Sequence, residues 1–106
     1  MTKYIIGLRD KGAVIVSIDG QTLHPYKSQQ VYNHSPSGFE WGYGGSGPCQ
    51  LALAILLELY DRQTALAYYK KFKGEFIATA SYNGFVISSD SIDEWLEKEK
   101  KDESSS

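Results

Sequence analysis

Aromatic residues alternate with glycine in one stretch of this chain, Asn33-His34-Ser35-Pro36-Ser37-Gly38-Phe39-Glu40-Trp41-Gly42-Tyr43-Gly44-Gly45-Ser46-Gly47-Pro48, which holds five of the ten Gly and two of the three Pro. An apolar run from Leu51 to Leu57 follows, with Pro48 suited to the first turn of a helix. A helix start offers unpaired N–H groups and the positive end of the dipole, and glycine lets backbone approach a ligand with no Cβ in the way. That combination binds anions, phosphates among them. Phe39, Trp41 and Tyr43 add flat faces for stacking. The candidate ligand residues are therefore His34, Glu40, Trp41, Tyr43, Gly44, Gly45, Ser46, Gly47 and Gln50. A competing reading needs no ligand: Gly42, Gly44, Gly45 and Gly47 let the chain turn tightly before the helix, with Trp41 and Tyr43 as core. Glu40 then faces solvent, where the ligand reading pairs it with His34 or a ligand hydroxyl, and Gln50 satisfies loop carbonyls.

Other chemistries fit less well. Gly47 is followed by Pro48-Cys49 rather than Lys-Ser/Thr, so the run is no Walker loop, and no βαβ unit surrounds it for a dinucleotide fold. His34 with a neighbouring Ser is the one pair resembling a nucleophile and its base, without a nucleophile elbow. His24, His34 and Cys49 match no metal-ligand spacing, and no cofactor is expected. Lys70, Lys71 and Lys73 form a basic cluster that reads as a solvated helix face.

The elements that must hold this loop are legible on either side. Tyr4, Ile6 and Leu8 alternate with Ile5, Gly7 and Arg9; Val14, Val16 and Ile18 alternate with Ile15 and Ser17. With Asp10-Lys11-Gly12 between them, the two runs predict a hairpin with a three-residue loop. Asp19-Gly20 marks a second turn, and a third extended piece is expected around Gln29 to Tyr32. A helix should start at Pro48, capped by Ser46 or Gly47 and buried on every side. A second begins near Arg62 or Gln63, with Gly74 weakening it. Phe85-Val86-Ile87 is a strand, and Ser91-Ile92-Asp93-Glu94 reads as a capping box for a last helix, Ile92 to about Lys100, that docks Ile92, Trp95 and Leu96. The fold class is α+β: a small antiparallel sheet with an N-terminal hairpin, a Gly-rich loop feeding a buried central helix, and helices on one face.

The chain has 106 residues, enough for one core, and a single domain over residues 1–99 is expected. Up to Asp90 eight Lys+Arg meet seven Asp+Glu, while three Lys and six acids follow. Residues 100–106, charged and then all serine, are expected as a disordered tail. A net charge of -2 argues against a nucleic-acid partner. One Cys excludes an internal disulfide and suits a reducing, cytoplasmic setting. No apolar run approaches the roughly 20 residues of a membrane helix, so no membrane association is expected.

The run Asn33-His34-Ser35-Pro36, then Gly38 to Pro48, then Gln50-Leu51-Ala52-Leu53-Ala54-Ile55-Leu56 resembles a family of short proteins of unknown function found in bacteria, archaea, phages and mobile elements. The resemblance spans roughly Leu23 to Trp95; Cys49 stands where that family has a small residue such as Ala. It implies no activity, but a phage setting implies host takeover or countering of bacterial immunity. The leading expectation is a non-enzymatic protein whose Gly-rich loop holds a nucleotide-like, phosphate-bearing molecule, sequestering an immune signal in the host cytoplasm, with a homo-oligomer as a side expectation. The alternatives are an anti-CRISPR-like inhibitor that binds a host defence protein with the loop purely structural, and a small hydrolase using His34.

Overall fold

The computed structural model describes residues 1–105. Strand β1 (Tyr4–Asp10) turns directly into β2 (Ala13–Ile18), and Asp10 pairs with Ala13, so the hairpin loop is Lys11-Gly12 alone. Both loop residues have positive φ, 52° and 85°, the mirror-image turn that matches strand twist. The expected three-residue loop is thus one residue shorter, with Asp10 absorbed into the ladder. Asp19 and Gly20 repeat the device, with φ of 54° and 83°, and return the chain into β3 (Gln21–Thr22). Strand β4 (Gly84–Ser88) pairs antiparallel with β1 on its other side, giving the order β3-β2-β1-β4.

Alternation along these strands separates two faces. Ile5, Val16, Ile18 and Ile87 are buried beneath the helices, whereas Tyr4, Leu8, Ile15 and Val86 lie on the opposite, exposed face.

Helix α1 (Tyr26–Val31) occupies the segment expected to be extended. Local composition was ambiguous there, and hydrogen bonds decide it: Pro25 O accepts from Gln29 N–H at 2.9 Å and from the Ser28 hydroxyl at 2.8 Å. Helix α2 (Ser46–Leu59) starts two residues before Pro48, with Gly45 at the cap position. Pro48 is still within the first turn, where a missing N–H breaks no helical bond. From Gly47 to Leu56 every residue is buried, making α2 the core helix that the apolar run predicts.

Asp61 caps α3 (Arg62–Phe72) by accepting from Thr64 N–H at 2.7 Å. At Gly74 the helix widens into a π turn, Lys73–Ile77, whose end is marked by Ala78 N–H on Lys73 O at 2.8 Å. Helix α4 (Ser89–Ser105) begins three residues earlier than the expected start at Ile92. Ser88, not Ser91, supplies the capping oxygen, accepting from Ser91 N–H at 3.2 Å, and the Ser91 hydroxyl donates to Ser88 O. Ile92 and Leu96 reach the core as expected, and Trp95 packs beside Phe72 and Phe76, each ring 5.7 Å away.

The far end of α4 corrects the expectation of a tail from Lys100. Helix continues to Ser105, held by a hydrogen bond from the Tyr68 hydroxyl to Glu103 at 2.7 Å and by Lys71 with Glu99 at 3.8 Å. Ser106 of the expected tail lies outside the described residues.

Candidate functional site

Gln50 sits in the first turn of α2, fully buried, and the chain from Ser28 to Ser35 folds around its amide. Its Oε1 accepts from the backbone N–H of His34 at 2.7 Å and of Ser35 at 3.0 Å. Its Nε2 donates to the Ser28 hydroxyl at 2.8 Å and to Tyr32 O at 3.1 Å. An amide offers two acceptor and two donor positions, so every one is used internally. Gln50 is a clamp between α1, the loop and α2.

Glu40 and Trp41 are equally committed. Arg9 lies on the core-facing row of β1, with Ile5 and Gly7, and its guanidinium meets the Glu40 carboxylate at 2.7 and 3.3 Å. The same guanidinium lies 4.5 Å from the Trp41 ring centre and 3.8 Å from that of Tyr82, so one cation is held by a carboxylate and two aromatic faces. Arg9 Nε and Trp41 Nε1 both donate to Tyr82 O, at 2.6 and 3.0 Å. The Arg9 hydrogen bond holds the Glu40 carboxyl below the usual glutamate range, and Glu40 in turn raises the Arg9 value. Trp41 is fully buried, edge-on to Phe85 at 5.0 Å. Arg9, rather than His34, is the partner of Glu40, whose side chain keeps 34% of its surface exposed. A cation on the inward row of an otherwise apolar strand was the sequence signal for this partner.

Two loop glycines serve this packing. A Cβ on Gly47 would stand 2.7 Å from the Glu40 Cβ, and Gly42 has φ of 88° with its N–H donating to Ile77 O at 3.0 Å in the π turn. Of the remaining candidates, Tyr43, Gly44 and Ser46 are open to solvent and Gly45 is half-buried. Tyr43 and Ser46 are exposed, a Cβ on Gly44 would meet nothing within 4 Å, and the Tyr43 ring lies over Gly45. Gly45 gives α2 no capping side chain, and no acidic residue sits in the first turn.

His34 lies beside this helix start but not against a serine. Its Nε2 meets the Tyr69 hydroxyl at 2.8 Å, and the Tyr32 ring stacks on it at 4.3 Å. Partial burial pushes the imidazole below the ordinary histidine range, and the charges of Lys70 and Lys73 add to the effect. Burial likewise raises the Cys49 thiol, which those two lysines oppose. Lys70 and Lys73, read from sequence as a solvated face, thus lend positive potential to the start of α2. Neither belongs to an ion pair among the described residues, unlike Lys71.

A concavity lies elsewhere, along the middle of α2. It is a groove of about 720 Å³ between the β2–β3 turn, the start of α1 and α2. Ile18, Leu23, Ala54 and Leu57 contribute apolar surface. Lys3, Asp19, His24, Tyr26, Lys27 and Glu58 supply polar and aromatic groups. Sequence reasoning noted His24 but had no means of joining it to the others, which come from four separate segments. Among the described residues, no three His, Cys, Asp or Glu side chains come together as a metal site, and no helix is long and apolar enough to cross a membrane.

No curated protein and no solved structure matches the chain in sequence or fold comparison. A family profile does match, over residues 6–98, from within β1 through the loop, α1 to α3 and β4 into the first part of α4. The chain belongs to a family of unknown function, DUF6166.

Proposed function

We propose that the protein is a non-enzymatic binding protein for a nucleotide-like, phosphate-bearing small molecule. The observation that carries this reading is the groove of about 720 Å³, a volume within the range of small-molecule sites. Its charges are balanced, with Lys3 and Lys27 available to an anionic group and Asp19 and Glu58 able to accept from hydroxyl or amino donors. An apolar floor and the exposed Tyr26 ring suit a flat body between those ends. Such a lining matches a nucleotide better than free phosphate, whose charge would meet the two carboxylates without compensation.

A second location for the same ligand class is the start of α2, and a specific observation favours it. The helix end has no side-chain cap, Tyr43, Gly44 and Ser46 are open, and Lys70 and Lys73 stand nearby in no ion pair among the described residues. The wider role, sequestration of a nucleotide immune signal in the cytoplasm of a phage-infected host, rests on the resemblance carried by the loop.

The test is a thermal-shift panel of mononucleotides, linear and cyclic dinucleotides and inorganic phosphate. Ligand at a hundred times its dissociation constant adds about 2.7 kcal/mol to folding stability, and at about 4 to 8 °C per kcal/mol the melting point rises by roughly 10 °C or more. Lys27→Glu abolishes the shift for a ligand in the groove, and Lys70→Glu with Lys73→Glu abolishes it for one at the helix start. A flat panel overturns the proposal and directs attention to a protein partner.

A further inference from the structure

Strand β4 is the outer strand of the sheet, bonded to β1 along one side. The register determines which of its backbone groups that pairing leaves out. Ser89 N–H donates to Lys3 O at 2.8 Å, whereas Tyr4 O accepts from Asp19 N–H on the other side of β1. Backbone groups alternate in direction along a strand. Phe85 and Ile87 therefore bond to β1, and Gly84, Val86 and Ser88 point to the free edge. Two of the outward groups are already engaged: Gly84 N–H donates to Ser81 O, and Ser88 O accepts from the Ser91 hydroxyl. What remains is Val86 N–H, Val86 O, Gly84 O and Ser88 N–H.

These four groups complement themselves. When a second β4 runs antiparallel about a two-fold axis at Val86, each Val86 N–H meets the other Val86 O, and each Ser88 N–H meets the other Gly84 O. The reciprocal bond of each outer pair, from Gly84 N–H to the other Ser88 O, would use the two groups already engaged within one chain, so the seam carries four bonds: two between the Val86 residues and one from each Ser88 N–H. The strand, Gly84-Phe85-Val86-Ile87-Ser88, carries no charge and no proline, the devices that usually keep edges apart. Val86 is 67% exposed, and the small residues Gly84 and Ser88 fall opposite one another across the seam. We propose that two copies of this chain associate through β4, joining their sheets into one of eight strands with the two Val86 side chains in contact.

Sedimentation equilibrium over a range of concentrations, with residue-resolved hydrogen exchange, tests this on the full chain. The expected mass rises from one chain to two, and the Val86 and Ser88 amides become protected as it does. Val86→Pro removes the central donor without touching the bonds to β1, so it abolishes the dimer while circular dichroism stays native. Val86→Lys does the same by charge repulsion and serves should the proline variant fail to fold. Ile15→Lys, on the outer face away from the seam, leaves the dimer intact. A single-chain mass throughout with Val86 exchanging freely, or a dimer that survives both Val86 variants, or one lost with Ile15→Lys alone, overturns the proposal.

Discussion

Glu40 grips both terminal nitrogens of Arg9, at 2.7 and 3.3 Å, and its Cβ fills the space where a side chain on Gly47 would stand. One glutamate thereby joins β1, the loop and the start of α2. Gly47→Ala must displace Glu40 and is expected to cost about 1 to 3 kcal/mol, as overpacked sites do. Gly44→Ala, in open space, should stay within about 0.5 kcal/mol of the parent. Urea denaturation of the two variants checks the contrast; equal midpoints would remove the packing role assigned to Gly47.

The ion pair itself is partly wet, with Glu40 34% and Arg9 15% exposed, so solvent screens it. A double-mutant cycle with Arg9→Ala and Glu40→Ala should give a coupling of about 1 kcal/mol, falling as salt is added. Arg9→Lys should recover little, because an ammonium cannot span the carboxylate and lie flat between Trp41 and Tyr82.

Stability should fall on acidification in two steps. His34 has a folded pKa below its unfolded value, so between the two the unfolded chain holds more protons and stability is lost as pH drops through the histidine range. Glu40 is also depressed: its contribution is present above the ordinary glutamate value and is lost as pH falls through the lower folded one. Melting temperatures from neutral to acid pH should show both, and His34→Gln should erase the upper step alone.

Removing the Gln50 amide should be the most damaging single change in the loop's support. Gln50→Leu keeps the apolar bulk but leaves the His34 and Ser35 N–H groups and Tyr32 O without their Gln50 partner, while the Ser28 hydroxyl keeps only its bond to Pro25 O. A loss of about 3 kcal/mol or more is expected for several stranded polar groups. Hydrogen exchange at the His34 and Ser35 amides should accelerate beyond the global change.

Local pattern and turn chemistry determined most of this fold. The alternation in β1 and β2, the all-round apolar run of α2, the spacing of α3 and the Phe85-Val86-Ile87 run of β4 are each short-range signals, and the α+β architecture follows from their order. The tertiary structure decided where polar groups find partners, because hydrogen-bond satisfaction is settled between segments far apart in sequence. Gln50 bonds Ser28 inside α1 and Tyr32 O just past its end, where the local sequence pointed to an extended piece over Gln29 to Tyr32. Arg9 claims Glu40 from 31 residues away, and Tyr68 holds α4 past Lys100 through Glu103. The glycine-rich loop stood out in the sequence for the types of its residues. Distance and burial alone divided it into a packed part, Glu40 to Gly42 with Gly47 and Gln50, and an exposed part, Tyr43, Gly44 and Ser46, and put none of these residues in the lining of the groove.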